Sequence, residues 1–308
     1  MTWQTVVTQP NGLGESPFWH PDEQMLYWID IPGKQIHRLN VFMGSVQSWS
    51  MPSEPGSIAP ARSLGESRGL VIALRDGIYR AREWGGDLQQ LVKATHDPAT
   101  TRFNDGKADP RGRFWAGTMY EPRDVKSAQL FSLDCRSAKT PQLDLKAGNA
   151  IIANGLAWSP DAATVYWTDT PSHTIRVWDW DSESNAMSEE RVFKQWPGKP
   201  DGWQSGMPGY GGRPDGAAVD IQGNYYVAMF EGARVVKLSP AGEVLLEIPV
   251  PAQCPTMPCF GGSDLQTLYL TTARDKRSAQ ELQTYPDSGC VFSMRVDVPG
   301  LPVNFFED

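Results

Sequence analysis

Short apolar runs separated by polar turns recur along the chain and predict pairs of β-strands rather than helices. Two stretches carry this pattern in closely matching form, GESPFWHPDEQMLYWID from Gly14 and ANGLAWSPDAATVYWTD from Ala153. In each, an apolar run containing Trp leads into a turn with Pro and Asp. A second run, rich in aromatic residues, follows the turn. Chance is a poor explanation for a match of this length, so the sequence contains an internal repeat.

Further copies of the same unit extend the repeat to six. NDGKADPRGRFWAG from Asn104 matches DGAAVDIQGNYYVA from Asp215, and weaker copies begin near Ala59 and Met257. The units therefore open at positions 15, 59, 104, 154, 215 and 257. Repeats of about 40 to 50 residues with several short strands are typical of β-propellers. The sequence predicts an all-β fold, a six-bladed β-propeller with four-stranded antiparallel blades around a central funnel.

The repeat leaves no obvious boundary between domains, so residues 1–308 are predicted to form a single propeller domain. One stretch departs from the even spacing: a Gly/Pro-rich insertion at about 196–214 precedes the fifth unit. This insertion is either a variable surface loop or a wall beside a central site. TWQTVVT near the start and CVFSMRVDV near the end both predict strands. We expect them to share one blade and so close the ring.

Composition and charge narrow the classes of partner. The 308 residues include 28 Lys+Arg and 36 Asp+Glu, a formal net charge of −8. This acidity argues against binding to nucleic acid or to an anionic membrane. No basic and apolar leader opens the chain, so a cytoplasmic location is expected. The four cysteines form no CxxC pair and predict no disulfide framework. The oligomeric state is left open.

Four oxygen-bearing side chains occupy equivalent positions in the repeat: Glu15, Asn104, Asn154 and Asp215. The residue that opens each innermost strand of a propeller lies near the axis, so these four are expected to converge. Two carboxylates and two amides crowded together are costly to bury unless a cation lies among them. Oxygen ligands suit Ca²⁺, Mg²⁺ or Mn²⁺, and Zn²⁺ or Fe²⁺ also accepts carboxylates. The pattern predicts one divalent cation without identifying it.

Turn chemistry offers another explanation for three of these residues. Asn104, Asn154 and Asp215 lie at or next to an Asp-Gly or Asn-Gly pair, and such residues are ordinary turn formers. Glu15 has no such preference, because GESP is not a common turn. The equivalence of all four positions favours a shared site.

The motifs GLGESPFW, RFNDGKADPRGRFWAGTM, NGLAWSPD and PDGAAVD resemble those of the senescence-marker-protein, gluconolactonase and luciferin-regenerating-enzyme family. The resemblance runs from about Gly12 to about Thr272. It implies a six-bladed propeller that uses one divalent cation to hydrolyse sugar lactones. The family's metal ligands fall on Glu15, Asn154 and Asp215. Its substrate-binding residues fall on Arg102, Asn104 and Glu121.

The resulting hypothesis is a metal-dependent lactonase whose small-molecule substrate is a sugar lactone. Asp215 is the candidate catalytic base for the attacking water, and Arg102 is expected to orient the sugar. Two alternatives remain at this point: a non-enzymatic propeller that acts as a calcium-binding regulator or interaction platform, and a phosphotriesterase on the same scaffold. No HxxxH or GxSxG motif occurs, which disfavours zinc-protease and serine-hydrolase chemistry.

Overall fold

The strands of the protein are arranged in six antiparallel sheets, which confirms the predicted six-bladed propeller. The structure is a computed structural model that describes residues 2–63, 65–136 and 140–308. The chain begins with β1 (Gln4–Val7), which belongs to the last blade. The first blade contains β2 (Gly14–His20), β3 (Met25–Asp30), β4 (Gln35–Asn40) and β5 (Ser45–Ser50). The second contains β6 (Ser57–Ser63), β7 (Glu66–Leu74), β8 (Gly77–Ala81) and β9 (Gln89–Lys93).

The remaining blades repeat this arrangement. The third contains β10 (Thr101–Ala108), β11 (Phe114–Tyr120), β12 (Ala128–Leu133) and β13 (Leu143–Ala150). The fourth contains β14 (Ala153–Trp158), β15 (Thr164–Asp169), β16 (Thr174–Asp181) and β17 (Ala186–Gln195). The fifth contains β18 (Arg213–Val219), β19 (Tyr225–Phe230), β20 (Arg234–Leu238) and β21 (Val244–Pro249). The sixth contains β22 (Pro255–Gly261), β23 (Thr267–Thr272), β24 (Val291–Arg295) and β1.

Burial falls from the first strand of each blade to the last. Every residue of β2 and of β22 is buried, whereas most of β5 and β21 is exposed. The inner strands are buried because both of their faces pack against neighbouring blades. All six predicted unit openings fall within these innermost strands.

The two ends of the chain close the ring. β1 pairs antiparallel with β24, with Gln4 opposite Ser293, which confirms that both ends share one blade. β25 (Phe306–Glu307) then adds a short parallel pairing to β6. This closure leaves no first or last blade unsupported by its neighbours.

The apolar core is divided into six clusters, each lying between two adjacent blades. Between the third and fourth blades, the rings of Trp115 and Trp158 meet edge to face at 5.6 Å between centroids. Trp115 also donates to the buried Asp109 carboxylate at 2.8 Å. Most tryptophans belong to these clusters or pack against them.

A cavity of about 310 Å³ occupies the propeller axis along the later halves of the innermost strands. Lys107 and Cys259 line it, together with the C-terminal residues 301–304. The first residues of the innermost strands lie at the other end of the axis. Among the described residues, α1 (Ala279–Thr284) is the one α-helix, and no helix there is long and apolar enough to span a membrane.

Candidate active site

The four oxygen-bearing residues of the repeat come together at the beginning of four innermost strands. Glu15, Asn104, Asn154 and Asp215 lie in β2, β10, β14 and β18 and are all buried. Each strand has a β-bulge at or directly after this residue, where its pairing with the next strand changes register. A bulge redirects a side chain out of the regular alternation. The same local distortion therefore turns four polar side chains towards the axis.

A row of hydrogen bonds links three blades at this site. Nδ2 of Asn104 donates to Oδ1 of Asn154 at 2.9 Å. Nδ2 of Asn154 donates to Oδ1 of Asp215 and, at 2.8 Å, to Oγ1 of Thr170. Thr170 in turn donates to the backbone oxygen of Pro214 at 2.8 Å. The orientation of each amide is thus fixed by its neighbours.

Burial destabilises the charged forms of the two carboxylates at this site, Asp215 and Glu15. Burial raises the pKa of Asp215 to about 8; Arg213 opposes this rise and Asp105 adds to it. Burial, followed by the charges of Asp215 and Asp105, raises the pKa of Glu15 well above its usual range. Glu15 accepts a hydrogen bond from the backbone N–H of Ser16 at 3.3 Å. Carboxylates held in this way repel one another, and a cation among them would stabilise their charged forms.

Asp105 adds a third buried carboxylate next to the row. Its Oδ2 accepts from the backbone N–H of Leu156 at 3.0 Å, while its Oδ1 is buried and has no hydrogen-bond partner among the described residues. Burial also raises the pKa of Asp105, against the nearby charge of Lys107. Lys107 itself donates to the backbone oxygen of Ala217. A buried oxygen without a donor is a further sign that positive charge belongs in this site.

The other two blades contribute no carboxylate or amide at the equivalent position. In the sixth blade the register shift that follows Pro255 leaves Thr256 at this position, and in the second blade Gly56 directly precedes β6. A Cβ on Gly56 would lie 2.4 Å from the backbone oxygen of Phe103. Thr256 is turned away into a hydrogen bond with the backbone oxygen of Gly14. The polar cluster is therefore built by four blades.

The donor set suits a hard cation held by oxygen atoms. Glu15, Asn154 and Asp215 place carboxylate and amide oxygens at one end of the axis, where three innermost strands begin. Among the described residues, no group of three or more His, Cys, Asp or Glu side chains is arranged to hold a metal ion.

Comparison with known proteins shows which family shares these motifs. Residues 13–274 match the family model described as SMP-30/Gluconolactonase/LRE-like region. The chain belongs to this family. A 6-deoxy-6-sulfogluconolactonase from Pseudomonas putida is 44% identical over 301 residues, covering 97% of this chain and 96% of the relative. The pentonolactonase XacC from Haloferax volcanii is 33% identical over 306 residues, covering 98% and 97%.

Solved structures share the architecture. A calcium-binding protein, regucalcin, from Agrobacterium tumefaciens superposes with a TM-score of 0.88 at 22% identity, covering 99% of this chain and 97% of that one. At this identity the likeness concerns the fold. The predicted resemblance to the SMP-30/gluconolactonase/LRE-like family is thus confirmed.

Arg102 and Glu121, which the family resemblance implies as substrate-binding residues, lie at different depths in the structure. Arg102 is buried beside the row, where its Nη1 donates to Oδ1 of Asn104 at 2.6 Å and its Nη2 to Sδ of Met119 at 3.2 Å. Burial lowers the pKa of Arg102 to about 10. Glu121 lies further out and forms a two-point ion pair with Arg75, at 2.9 and 3.2 Å. It is near enough for Arg75 and then Arg102 to lower its pKa, but it makes no hydrogen bond to Arg102.

The structure adds polar residues that the family motifs did not reveal. Thr170 and Arg75 come from loops whose sequences carry no repeat. Arg213 could have been predicted from the sequence. It stands two residues before Asp215 in the same strand, and alternation places such residues on one face.

The segment Trp196–Gly212 is mostly exposed but is held to the fifth blade at a few points. Trp203 is buried, and its ring meets that of Tyr210 at 4.9 Å between centroids. Nζ of Lys199 bonds the carboxylate of Glu231 at 2.9 Å. Trp196 packs on the core between the fourth and fifth blades.

Proposed function

We propose that this protein hydrolyses sugar lactones, opening the ring ester of an aldonolactone to the aldonic acid. Membership of the SMP-30/gluconolactonase/LRE-like family supports this activity. The names of two relatives, a 6-deoxy-6-sulfogluconolactonase and a pentonolactonase, support the same substrate class. The observation that carries the proposal is the row of Asn104, Asn154 and Asp215, with Glu15 beside it.

The proposal includes one divalent cation held by Glu15, Asn154 and Asp215. The support is chemical: two buried carboxylates with raised pKa values, an amide oxygen, and the partnerless Oδ1 of Asp105 nearby. A divalent cation at this place supplies the charge that polarises the lactone carbonyl and makes a water more acidic. Calcium, zinc, manganese, magnesium and iron all accept such oxygen ligands.

Asp215 is proposed as the base that receives the proton of the attacking water. Its Oδ1 accepts from Asn154, while its Oδ2 has no hydrogen-bond partner among the described residues and stays available. Attack on the carbonyl carbon forms a tetrahedral oxyanion. The ring C–O bond then breaks, and the leaving alkoxide takes up the proton that Asp215 received. A carboxylate within reach of both oxygens can serve in both steps.

Arg102 and Asn104 are proposed to hold the sugar next to that base. Arg102 presents a guanidinium whose pKa burial lowers but which stays charged at neutral pH, with a pKa of about 10. Asn104 fixes the direction of Asn154 and so the geometry of the row. Glu121 is proposed to act from the outer rim, where Arg75 holds its carboxylate. Positioning of this kind lowers the entropic part of the barrier.

The test combines metal analysis with a pH-drop assay on five- and six-membered aldonolactones. Purified protein is expected to hold about one divalent ion per chain and to release acid from at least one lactone of the panel. Asp215→Asn is expected to lose activity, whereas Asp144→Asn, an exposed aspartate on β13, serves as the matched control. Metal-free protein with full activity, or a panel without any turnover, would overturn the proposal.

A further inference from the structure

The cavity on the propeller axis lies at the end of the innermost strands away from Asp215, and its lining is mostly apolar. All six innermost strands contribute to its wall. Its largest apolar lining residues include Trp19, Trp158 and Phe260. The volume of about 310 Å³ falls at the lower end of the range of roughly 300–1,000 Å³ that small-molecule sites span. The cavity therefore has the size and lining of a site for a small apolar ligand.

Lys107 brings one positive charge into this apolar wall. It lies in β10, three residues after Asn104, and its ammonium group donates to the backbone oxygen of Ala217. An ammonium group has three N–H donors, and Ala217 supplies the one acceptor found among the described residues. Burial lowers the pKa of Lys107, and the carboxylate of Asp105 opposes this through its charge alone. A buried cation with donors to spare is stabilised when an anion binds to it.

The other polar side chains of the lining are Ser16, Ser159 and Asn304, and each is hydrogen-bonded within the protein. Oγ of Ser16 donates to the backbone oxygen of Ile58 at 3.3 Å and accepts from its N–H at 3.0 Å. Ser159 donates to a carboxylate two residues further on. Nδ2 of Asn304 donates to the backbone oxygen of Ala108 at 3.2 Å. The lysine is thus the group that decides which polar ligand atom the cavity accepts.

The cavity reaches the surface beside the C-terminal segment 301–304. Three of its lining residues are exposed prolines: Pro110, Pro160 and Pro302. The segment is tied on both sides of Pro302, because the N–H of Leu301 donates to the backbone oxygen of Val219 at 3.0 Å and Asn304 donates to Ala108. A ligand can enter at this rim without unfolding a blade, and it meets walls that are already in place.

We propose that this cavity is a second binding site, separate from the proposed lactonase centre, for a small monocarboxylate with an apolar body, whose carboxylate pairs with Lys107. One negative charge matches the one ammonium group, whereas a phosphate dianion would leave charge unpaired in an apolar lining. A free sugar would leave several hydroxyl groups there without partners. The methylene groups of a medium-chain acid would instead bury apolar surface against Trp19, Trp158 and Phe260.

Titration calorimetry on the full chain tests the site with octanoate and with 1-octanol, its neutral counterpart. The wild type is expected to bind one octanoate per chain and to bind it more tightly than 1-octanol. Lys107→Met keeps an apolar side chain of similar length but removes the charge. It should weaken octanoate by about tenfold or more and change 1-octanol by less than about twofold. The matched control is Lys276→Met, an exposed lysine, which should change neither affinity.

A second variant tests the cavity without touching the lysine. Val303→Trp places a larger side chain on the C-terminal segment that lines the cavity, so it should weaken octanoate and 1-octanol together. Octanoate should also raise the Tm of the wild type and raise that of Val303→Trp less, because a ligand that binds the folded state stabilises it.

Several results would overturn the site. They are absence of octanoate binding, equal affinity of the wild type for octanoate and 1-octanol, and octanoate affinity that neither Lys107→Met nor Val303→Trp changes. Where Lys107→Met does not fold, the comparison of the two probes on the wild type and on Val303→Trp decides. These measurements need no turnover, so their outcome is independent of whether the protein hydrolyses lactones.

Discussion

The side-chain amide of Asn104 donates to the side-chain oxygen of Asn154 at 2.9 Å, across the boundary between the third and fourth blades. The side-chain nitrogen of Asn154 in turn donates to Asp215 and to Thr170. These hydrogen bonds hold the side-chain oxygen of Asn154, the atom that would bind a cation, in one orientation. In the proposed metal site, Asn104 would therefore act through Asn154 as well as by the proposed contact with substrate.

Removal of the Asn104 amide is expected to weaken metal binding without destroying the site. In Asn104→Ala, Asn154 keeps its bonds to Asp215 and Thr170 but loses the donor that fixes its oxygen. Loss of such supporting hydrogen bonds typically costs about 10- to 100-fold in metal affinity or activity. Metal titration monitored by activity should show a weaker apparent affinity with partial recovery of the rate at saturating metal. An unchanged affinity would contradict a positioning role for Asn104.

Charge removal at Glu15 and Asp215 tests the metal ligands directly. Glu15→Gln and Asp215→Asn should each reduce bound metal, because an amide oxygen is a weaker ligand than a carboxylate. Chelation should abolish the activity of the wild type, and several divalent ions should restore it, since open oxygen sites discriminate weakly by geometry. Elemental analysis measures the metal, and the pH-drop assay measures the rate. Normal metal content in both variants would mean that the shared location of these residues does not serve metal binding.

Much of the fold was predictable because a repeat imposes the same pattern many times. The match between Trp19 and Trp158 predicted the strand pairs, and the equivalence of Glu15 with Asn154 followed from the same register. The blade count, the shared closing blade and the meeting of four polar residues all derive from that one regularity. Where the copies are weak, near Ala59 and Met257, the repeat still predicted innermost strands, but these strands bring no carboxylate or amide to the site.

The contacts that were not predictable join residues from irregular segments. Arg75 comes from the turn between β7 and β8 and captures Glu121, 46 residues away. Lys199 reaches Glu231 across 32 residues that include the insertion. Such ion pairs depend on loop conformations, which carry no periodic pattern in sequence. For that reason the motifs alone did not show that Arg75 holds Glu121 at the rim.

Glu231 is expected to stabilise the wall beside the site in a pH-dependent way. Burial would raise the pKa of Glu231, but Arg213, Lys199 and Arg277 outweigh it, so its pKa in the folded protein is lowered. A lowered pKa contributes stability that is present above the unfolded value of about 4.3 and disappears as the pH falls through the folded value. Glu231→Gln should therefore reduce the free energy of unfolding by about 1–3 kcal/mol at pH 7.

The measurement is urea unfolding of the wild type and variant between pH 3 and pH 7. The difference in stability should shrink as the pH falls below about 4.3, because Glu231 is then protonated first in the unfolded state and, at lower pH, in the folded state as well. Glu247→Gln is the matched control, because Glu247 pairs with Arg234 at the surface and should matter by less than about 1 kcal/mol. A difference that stays constant from pH 7 to pH 3 would show that the cost arises from packing rather than charge.

The last prediction separates binding from chemistry at Arg102 and Asp215. Arg102 is proposed to hold the sugar in ground and transition states alike, so Arg102→Ala should keep its metal and mainly raise KM, by roughly 1.5–3 kcal/mol. Asp215 is proposed to move a proton in the transition state, so Asp215→Asn should lose about 10²- to 10⁴-fold in kcat even when saturated with metal. Steady-state kinetics at saturating metal measures both parameters.

Arg102→Lys controls for the hydrogen bond between Arg102 and Asn104, because a lysine keeps the charge but not the forked donor. If Arg102→Ala lowered kcat and Arg102→Lys restored it, Arg102 would act through the orientation of Asn104 as well as by holding the sugar. If metal-saturated Asp215→Asn kept a near-normal kcat with a raised KM, Asp215 would be a ligand alone. The base would then be sought at Glu121, and its release from Arg75 would become a required step, since both Glu121 oxygens are engaged by that arginine.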